Sequence, residues 1–107
     1  MTLDVNKIIN SEYAISYSDG NIFFDILKKS DLINLKIDFK NIKHLSTAFL
    51  NESIGKLALN NQSDLKSITF IFPKDDFIFK AKVNDVIENA LLGDEYDILI
   101  DNAIHSL

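Results

Sequence analysis

The 107-residue sequence contains no cysteine, no arginine and no tryptophan, and it has one proline and three glycines. Without cysteine there is no disulfide framework, no thiolate metal site and no cysteine nucleophile. All eleven basic residues are lysines, and sixteen acidic residues give a formal net charge of −5. Nucleic-acid binding relies on a basic face and on bidentate arginine contacts. The composition therefore argues against nucleic acid and against an anionic membrane surface as partners.

Segments that would direct the chain to a membrane are also missing from the sequence. The first residues, Met1–Asn6, lack the basic start and the apolar run of a signal peptide. The longest apolar candidate, Ile68–Phe72, is strand-sized and far below the roughly 18 residues that span a bilayer. We therefore expect a cytoplasmic protein.

Hydrophobic residues make up 47% of the chain, which is enough for one domain with its own core, and we predict a single domain over residues 1–107. Several segments have the alternation or the β-branched composition of strands. They are Leu3–Ile9, Tyr13–Tyr17, Ile33–Phe39 and Ser67–Phe72, with Tyr96–Ile100 as a further edge strand. In Tyr13–Tyr17 the larger residues alternate with small ones and predict one buried face. Ile33–Phe39 and Ser67–Phe72 are predicted to be central, mostly buried and parallel to each other.

Three segments have the apolar spacing and the end signals of helices. The first is capped by Asp19, the second runs from Ser46 or Thr47 to about Asn60, and the third is Asp76–Leu92, followed by Gly93 as a stop. Strands that alternate with helices predict an α/β fold, with a mixed β-sheet of four to five strands packed with about three helices. The predicted core is Leu35, Ile37, Phe39, Leu50, Ile54, Leu57, Ile68, Phe70, Phe72, Ile87 and Leu91.

The segment Leu35–Leu57 reads as an apolar strand, a short loop, and a Ser/Thr pair that opens a helix. The strand ends in Asp38 and Phe39, and the helix contains Phe49, Glu52 and Gly55. This stretch resembles the signature of the STAS-like proteins, which are related to bacterial anti-sigma-factor antagonists. The resemblance implies a single STAS-like domain that regulates by binding another protein, with these five residues as its structural motif.

In the anti-sigma-factor antagonists, a serine at the helix start is phosphorylated by a partner with a GHKL-type ATP-binding domain, and the phosphate breaks docking. The resemblance therefore implies a GHKL-type ATP-binding protein or kinase as the partner. The antagonists read Asp-Ser-Ser-Gly at this point. This chain reads Ser-Thr-Ala-Phe over residues 46–49, without the acidic residue and the glycine.

The resemblance selects candidate residues around the helix start. Ser46 and Thr47 are candidates for phosphorylation or partner contact, and further contact candidates are Lys43, His44, Leu45 and Asn51. A plain helix N-cap, worth about 1 kcal/mol, is the alternative reading of either hydroxyl, and the two roles can coexist. For Asp38 we expect a role in ordering the loop, and for Gly55 close packing of helix on sheet.

No motif of catalysis stands out in the sequence. His44 and His105 are the only histidines, and neither has the spacing of a catalytic triad or of a zinc-binding helix. The sequence also lacks a calcium-loop pattern and a glycine-rich phosphate loop. We therefore expect no enzymatic activity, no metal and no cofactor.

Two alternatives stay open at this point. A small-ligand or nucleotide-sensing STAS-like domain without catalysis is the second functional hypothesis, although no basic residue lies between Lys43 and Lys56 to receive a phosphate. The sequence also leaves a homo-oligomer undecided, since strand edges are expected at both ends of the domain.

Overall fold

Five short strands form two sheets in the part of the chain that the structure, a computed structural model, describes: residues 1–74 and 76–105, with side chains described up to residue 92. Strands β1 (Thr2–Asp4), β3 (Lys36–Asp38) and β5 (Thr69–Ile71) form one sheet in the order β1-β3-β5. Strands β2 (Tyr13–Ala14) and β4 (His44–Leu45) form the other. All three strand pairings are parallel.

Helices connect these strands, as parallel pairing requires. The α-helices are α1 (Val5–Ile9), α2 (Tyr17–Lys29), α3 (Thr47–Leu50), α4 (Lys56–Asn60) and α5 (Phe77–His105). A π-helical turn, Asn51–Gly55, joins α3 to α4 without a break, and a 3₁₀-helix, Gln62–Ser67, leads into β5. The predicted α/β class is confirmed. The predicted single mixed sheet is wrong, because the described strands form two separate parallel sheets. The prediction of about three helices was too low, because the described residues form five α-helices.

The core lies between the three-stranded sheet and helices α2 to α5. Four fully buried side chains form its centre. Ile37 and Phe39 come from β3 and the residue after it, and Leu50 and Ile54 come from α3 and the π-helical turn. Most of the predicted core is confirmed, including Leu35, Leu57 and Ile68. Phe70, Phe72 and Ile87 are half-buried against this core.

The first predicted strand, Leu3–Ile9, is only partly a strand. The Asp4 carboxylate accepts a hydrogen bond from the Lys7 backbone N–H, which ends β1 and starts α1. Val5 and Ile9 are then one helical turn apart, and both are buried. Alternating apolar residues had predicted a strand here, but a side-chain cap inside the segment decides the local structure.

The second predicted strand, Tyr13–Tyr17, has the opposite burial pattern from the expected one. Ala14 is buried, whereas Tyr13, Ile15 and Tyr17 are exposed. The segment is extended only at Tyr13–Ala14, because Ser16 rather than Asp19 caps α2 and Tyr17 is already helical. Lys28 and Lys29 lie in the last turn of α2, where cations interact favourably with the helix dipole.

The predicted strand Ile33–Phe39 is shorter than expected. Asn34 has a left-handed backbone conformation, with φ of 57°, which interrupts any extended run before Lys36. Ile33 is consequently exposed. Leu35, just before the strand, and Phe39, just after it, are both buried. The parallel pairing of this strand with the Ser67–Phe72 segment is confirmed, but β5 lies at the edge of the sheet and only β3 is central.

The third predicted helix begins where expected and continues past its expected end. The Asp76 carboxylate accepts hydrogen bonds from the backbone N–H groups of Ile78 and Phe79, at 3.0 and 3.1 Å. The helix passes through Gly93, so the predicted edge strand Tyr96–Ile100 is helical instead. A glycine inside a helix costs about 1 kcal/mol relative to alanine, which a long helix can absorb.

Leu91 does not belong to the core, contrary to the prediction. It is 43% exposed, because the core-facing side of α5 follows Phe79, Val83 and Val86 at helical spacing. Asp75, next to the helix cap Asp76, lies outside the described residues.

Candidate functional site

The carboxyl end of β3 is ordered by Asp38. Its side chain is only 7% exposed, and one carboxylate oxygen accepts a hydrogen bond of 2.9 Å from the Lys40 backbone N–H. The other oxygen lies 3.5 Å from the Lys40 ammonium group. The next residue, Phe39, is fully buried and stacks on Phe72. These contacts support the interpretation of Asp38 as a residue that orders the loop.

The short loop before the Ser/Thr pair ends in strand β4, His44–Leu45. Parallel pairing joins His44 to Tyr13 and Leu45 to Ala14, so the segment is fixed to the N-terminal part of the chain. The rings of Tyr13 and His44 stack with their centroids 5.2 Å apart. Two exposed residues beside them, Lys43 and Glu12, form an ion pair of 3.2 Å. This strand could not be predicted, because two residues are too few to produce a periodic pattern.

Ser46 is the N-cap of the helix that follows. Its hydroxyl oxygen accepts a hydrogen bond of 3.0 Å from the Phe49 backbone N–H. The same hydroxyl donates to the carbonyl oxygen of Ile15, and the Ser46 backbone N–H donates to that of Ala14 at 2.9 Å. The Ser46 hydroxyl is therefore occupied both as a donor and as an acceptor.

Thr47 is the first residue of α3, and its environment differs from that of Ser46. It is exposed, and among the described residues no protein group forms a hydrogen bond with its hydroxyl. Asn51 lies one turn further along and is also exposed. Both hydroxyls therefore stand at the helix start, as predicted, and the structure separates a capping serine from an accessible threonine.

The other contact candidates divide into exposed and buried side chains. Lys43 and His44 are exposed at the end of the loop. Leu45 is only 4% exposed, because its position in β4 turns its side chain into the core. Leu45 therefore supports the surface from below and does not contribute a side chain to it.

Beneath this surface, the helix start is held by tight packing against α2. Phe49 is fully buried and stacks on Phe23 at 6.0 Å. Gly20 allows this approach, since a Cβ atom added there would lie 2.7 Å from the carbonyl oxygen of Phe49 and 2.8 Å from the Cβ atom of Glu52. The role of Gly20 was not foreseen, because a glycine near a helix start gives no sequence signal of what packs against it.

The π-helical turn contains the last two motif residues. Glu52 forms an ion pair of 2.6 Å with Lys56 one turn on. Gly55 is packed closely, as expected, but against a helix rather than the sheet: an added Cβ atom would lie 3.2 Å from a methyl carbon of Val86 on α5. The buried Ser53 hydroxyl donates a hydrogen bond of 2.8 Å to the carbonyl oxygen of Phe49. Both motif residues therefore have structural partners within the domain.

A shallow groove of about 580 Å³ runs beside the candidate residues. One wall is the segment Lys43–Thr47, and the other is the first turns of α5. The other lining residues were not predicted as part of a site, and they are Ile15 and, around the start of α5, Asp76, Ile78, Phe79 and Lys82. Lys82 crosses the groove and donates a hydrogen bond of 2.8 Å to the carbonyl oxygen of Leu45. Sequence spacing could place Lys82 beside the core face of α5, but not its partner 37 positions away.

Two further properties of the described residues bear on the site. Within residues 1–74 and 76–92, no three histidine, aspartate or glutamate side chains are grouped so that they could hold a metal ion. The part of the chain that the structure describes also has no helix that is both long and apolar enough to cross a membrane.

The sequence family described as "STAS-like domain of unknown function (DUF4325)" matches residues 19–73, which is just over half of the chain. The matched range contains β3, β4, β5 and the whole helix that begins at Thr47. Comparison with curated proteins gave no match, and comparison with solved structures gave none either. The chain therefore belongs to this family of STAS-like domains, as the resemblance of Leu35–Leu57 had indicated.

Proposed function

We propose that this STAS-like domain is a regulatory interaction module that docks to a GHKL-type ATP-binding protein or kinase in the cytoplasm. The contact surface is centred on Lys43, His44, Thr47 and Asn51. The observation that carries the proposal is the exposure of these four side chains on a backbone that is fixed from two sides. Binding residues are commonly found on a loop or helix end that a rigid scaffold positions.

The backbone that carries the contact surface is held rigidly, which favours docking of a partner more than a loosely held loop would. On one side, β4 pairs with β2, and the Ser46 backbone N–H donates to the Ala14 carbonyl oxygen. On the other side, Lys82 donates to the carbonyl oxygen of Leu45. A surface that is already ordered loses little conformational entropy when a partner binds, which favours affinity.

Thr47 is the better candidate for a phosphorylation switch. Its hydroxyl is exposed, whereas the Ser46 hydroxyl holds two backbone groups that would have to be released before a phosphate could be added. A phosphate would add about −1.5 to −2 charge at neutral pH to a chain of formal charge −5. Placed in the centre of the contact surface, this charge would weaken docking to a partner that fits the unmodified surface.

The proposal is tested by co-purification with a GHKL-type ATP-binding protein encoded beside this chain. We expect a complex of the purified proteins in size-exclusion chromatography, and transfer of the γ-phosphoryl group of ATP to Thr47 if that partner is a kinase. The control is an unrelated GHKL-type protein, which should elute separately. Separate elution of the neighbouring protein at micromolar concentration would contradict the proposal.

The small-ligand or nucleotide-sensing alternative is favoured by one observation. Although no lysine lies between Lys43 and Lys56 in sequence, α5 brings Lys82 to the same groove as Thr47. A cation next to a groove favours the binding of a phosphate group. A thermal-shift screen with nucleotides tests this alternative, since a nucleotide at 100 times its Kd would add about 2.7 kcal/mol of stability.

A further inference from the structure

Three surface depressions meet at Asp76, and lysines line all of them. The first contains Lys40 and Lys74, and the second is the groove beside Thr47, with Lys43 and Lys82. The third contains Lys80. We call this set of five lysines the lysine surface.

Among the described residues, three carboxylates that line or pair with the lysine surface are already engaged. Asp76 caps α5, and its carboxylate accepts hydrogen bonds from two backbone N–H groups. Asp38 pairs with Lys40, and Glu12 pairs with Lys43. Three lysines have no carboxylate within ion-pair distance among the described residues, and they are Lys74, Lys80 and Lys82. Among the described residues, five lysines therefore stand against these three carboxylates, on a chain of net charge −5.

Large apolar side chains stand among these lysines. Phe77 is 79% exposed and Ile78 is 67% exposed. Ile78 and Ile15 line the groove beside Thr47, and Phe77 lines the depression that contains Lys80. Neighbouring exposed apolar residues with a polar rim are typical of a protein interaction site. The occupant must therefore satisfy both the apolar side chains and the positive charges.

We propose that the lysine surface binds an acidic segment of a partner protein, which places carboxylates beside Lys74, Lys80 and Lys82 and an apolar side chain on Phe77 and Ile78. This inference rests on the proposed docking function and names the chemistry of the partner. Charge complementarity is the reason for the acidic side chains. The exposed aliphatic Ile15 and Ile78 favour a protein segment over a nucleotide, since a base stacks on aromatic rings, whereas apolar side chains pack on aliphatic ones.

The test uses peptides selected without reference to any partner. A random-peptide display library is panned on the immobilised wild-type domain, and the selected peptides are synthesised and measured by fluorescence anisotropy. We expect the selected sequences to combine two or more Asp or Glu residues with a large apolar residue. Their affinity should fall by roughly tenfold when the salt concentration rises from about 50 to about 300 mM, since exposed charge pairs are screened.

Two double variants with the same change of charge provide the decisive comparison. The first is Lys74→Glu with Lys80→Glu on the lysine surface, and the second is Lys29→Glu with Lys66→Glu on exposed positions elsewhere. Each pair of changes subtracts four charges and takes the formal net charge from −5 to −9. We expect the first to weaken peptide binding by about tenfold or more and the second by less than about twofold, because local charge pairing and not net charge controls binding. Circular dichroism is the control that tests whether both variants fold.

Several results would overturn the inference. They are the absence of any selected binder, a selected consensus without acidic residues, equal loss of binding in the two double variants, or displacement of the peptide by ATP at equal concentration, which would indicate a nucleotide site instead. The peptide assay contains no GHKL-type protein. Failure of the acidic-segment inference is therefore distinguishable from failure of the docking function, which the co-purification tests separately.

Discussion

The ammonium group of Lys82 donates a hydrogen bond of 2.8 Å to the backbone carbonyl oxygen of Leu45. Through this contact, α5 holds the strand that leads into the Ser46–Thr47 helix start. The range matched by the STAS-like family ends at Pro73, so Lys82 lies outside it. The geometry of the candidate surface therefore depends on a residue from beyond the segment that carries the resemblance.

Replacing Lys82 should destabilise the domain although the residue is charged and lies near the surface. Lys82→Met removes the ammonium group, keeps most of the side-chain stem, and leaves the Leu45 carbonyl oxygen without this donor. We expect a loss of about 1 to 2 kcal/mol in the free energy of unfolding, measured by urea denaturation. Lys80→Met, at an exposed position of the same helix, should stay within about 0.5 kcal/mol of wild type. Equal stability of the two variants would mean that the Lys82 bond contributes nothing.

The two hydroxyls at the helix start should differ clearly in their contribution to stability. Ser46→Ala removes the N-cap and the bond to the Ile15 carbonyl oxygen, so we expect a loss of about 2 kcal/mol. Thr47→Ala removes an exposed hydroxyl without a protein partner among the described residues and should change stability by less than about 0.5 kcal/mol. Thermal and urea denaturation of both variants provide the measurement. A larger loss for Thr47→Ala would contradict the assignment of Ser46 as the cap.

Two of the helical glycines, Gly20 and Gly55, should lose stability to different extents when each is replaced by alanine. Gly20→Ala places a Cβ atom 2.7 Å from the carbonyl oxygen of Phe49, a backbone atom that cannot rotate away. We expect a net loss of about 1 to 2 kcal/mol after the gain in helix propensity is included. Gly55→Ala meets a Val86 methyl carbon at 3.2 Å, which can shift slightly, so its stability should lie within about 0.5 kcal/mol of wild type. The melting temperatures of the two variants decide between these outcomes.

Much of the fold could be predicted because its buried elements follow simple periodic patterns. The alternation of Leu35, Ile37 and Phe39 identified the central strand, and the helical spacing of Leu50, Ile54 and Leu57 identified the helix after it. Two of the predicted strands were wrong in part because a single polar residue overrides the pattern. Asp4 starts a helix within an apparent strand, and Asn34 adopts a left-handed conformation within another. Periodicity carries no information about such local contacts.

Only one part of the candidate surface could be predicted, namely the part whose residues are neighbours in the sequence. The resemblance located Lys43–Thr47 at a helix start, and Ser46 does cap that helix. The opposite wall of the groove is formed by α5 and by Ile15, which are distant in sequence and meet these residues only after folding. Helical spacing assigns a face to Lys82, but the carbonyl oxygen that it contacts depends on how α5 packs on α3 and the π-helical turn.

A negative charge at position 47 should weaken docking without unfolding the domain. Thr47→Glu puts a carboxylate where a phosphate would be added, in the centre of the contact surface, and we expect at least about a tenfold loss of affinity for the GHKL-type partner in isothermal titration calorimetry. Thr47→Ala should bind as tightly as wild type, because the unmodified hydroxyl is not required by any neighbour among the described residues. The melting temperature of both variants should stay within about 2 °C of wild type, since neither change affects a buried group.

Matched substitutions separate this local effect from a general effect of charge and from loss of the helix cap. Thr69→Glu makes the same chemical change at an exposed threonine on β5 and should leave affinity within about twofold of wild type. Ser46→Ala and Ser46→Glu should lower stability. We expect Ser46→Ala to keep its affinity once the folded fraction is taken into account, because the Ser46 hydroxyl is bonded to two backbone groups of the domain itself. If all four variants at positions 46 and 47 bind as wild type does, the docking site lies elsewhere on the domain. In that case the role carried over from the anti-sigma-factor antagonists does not apply to this protein.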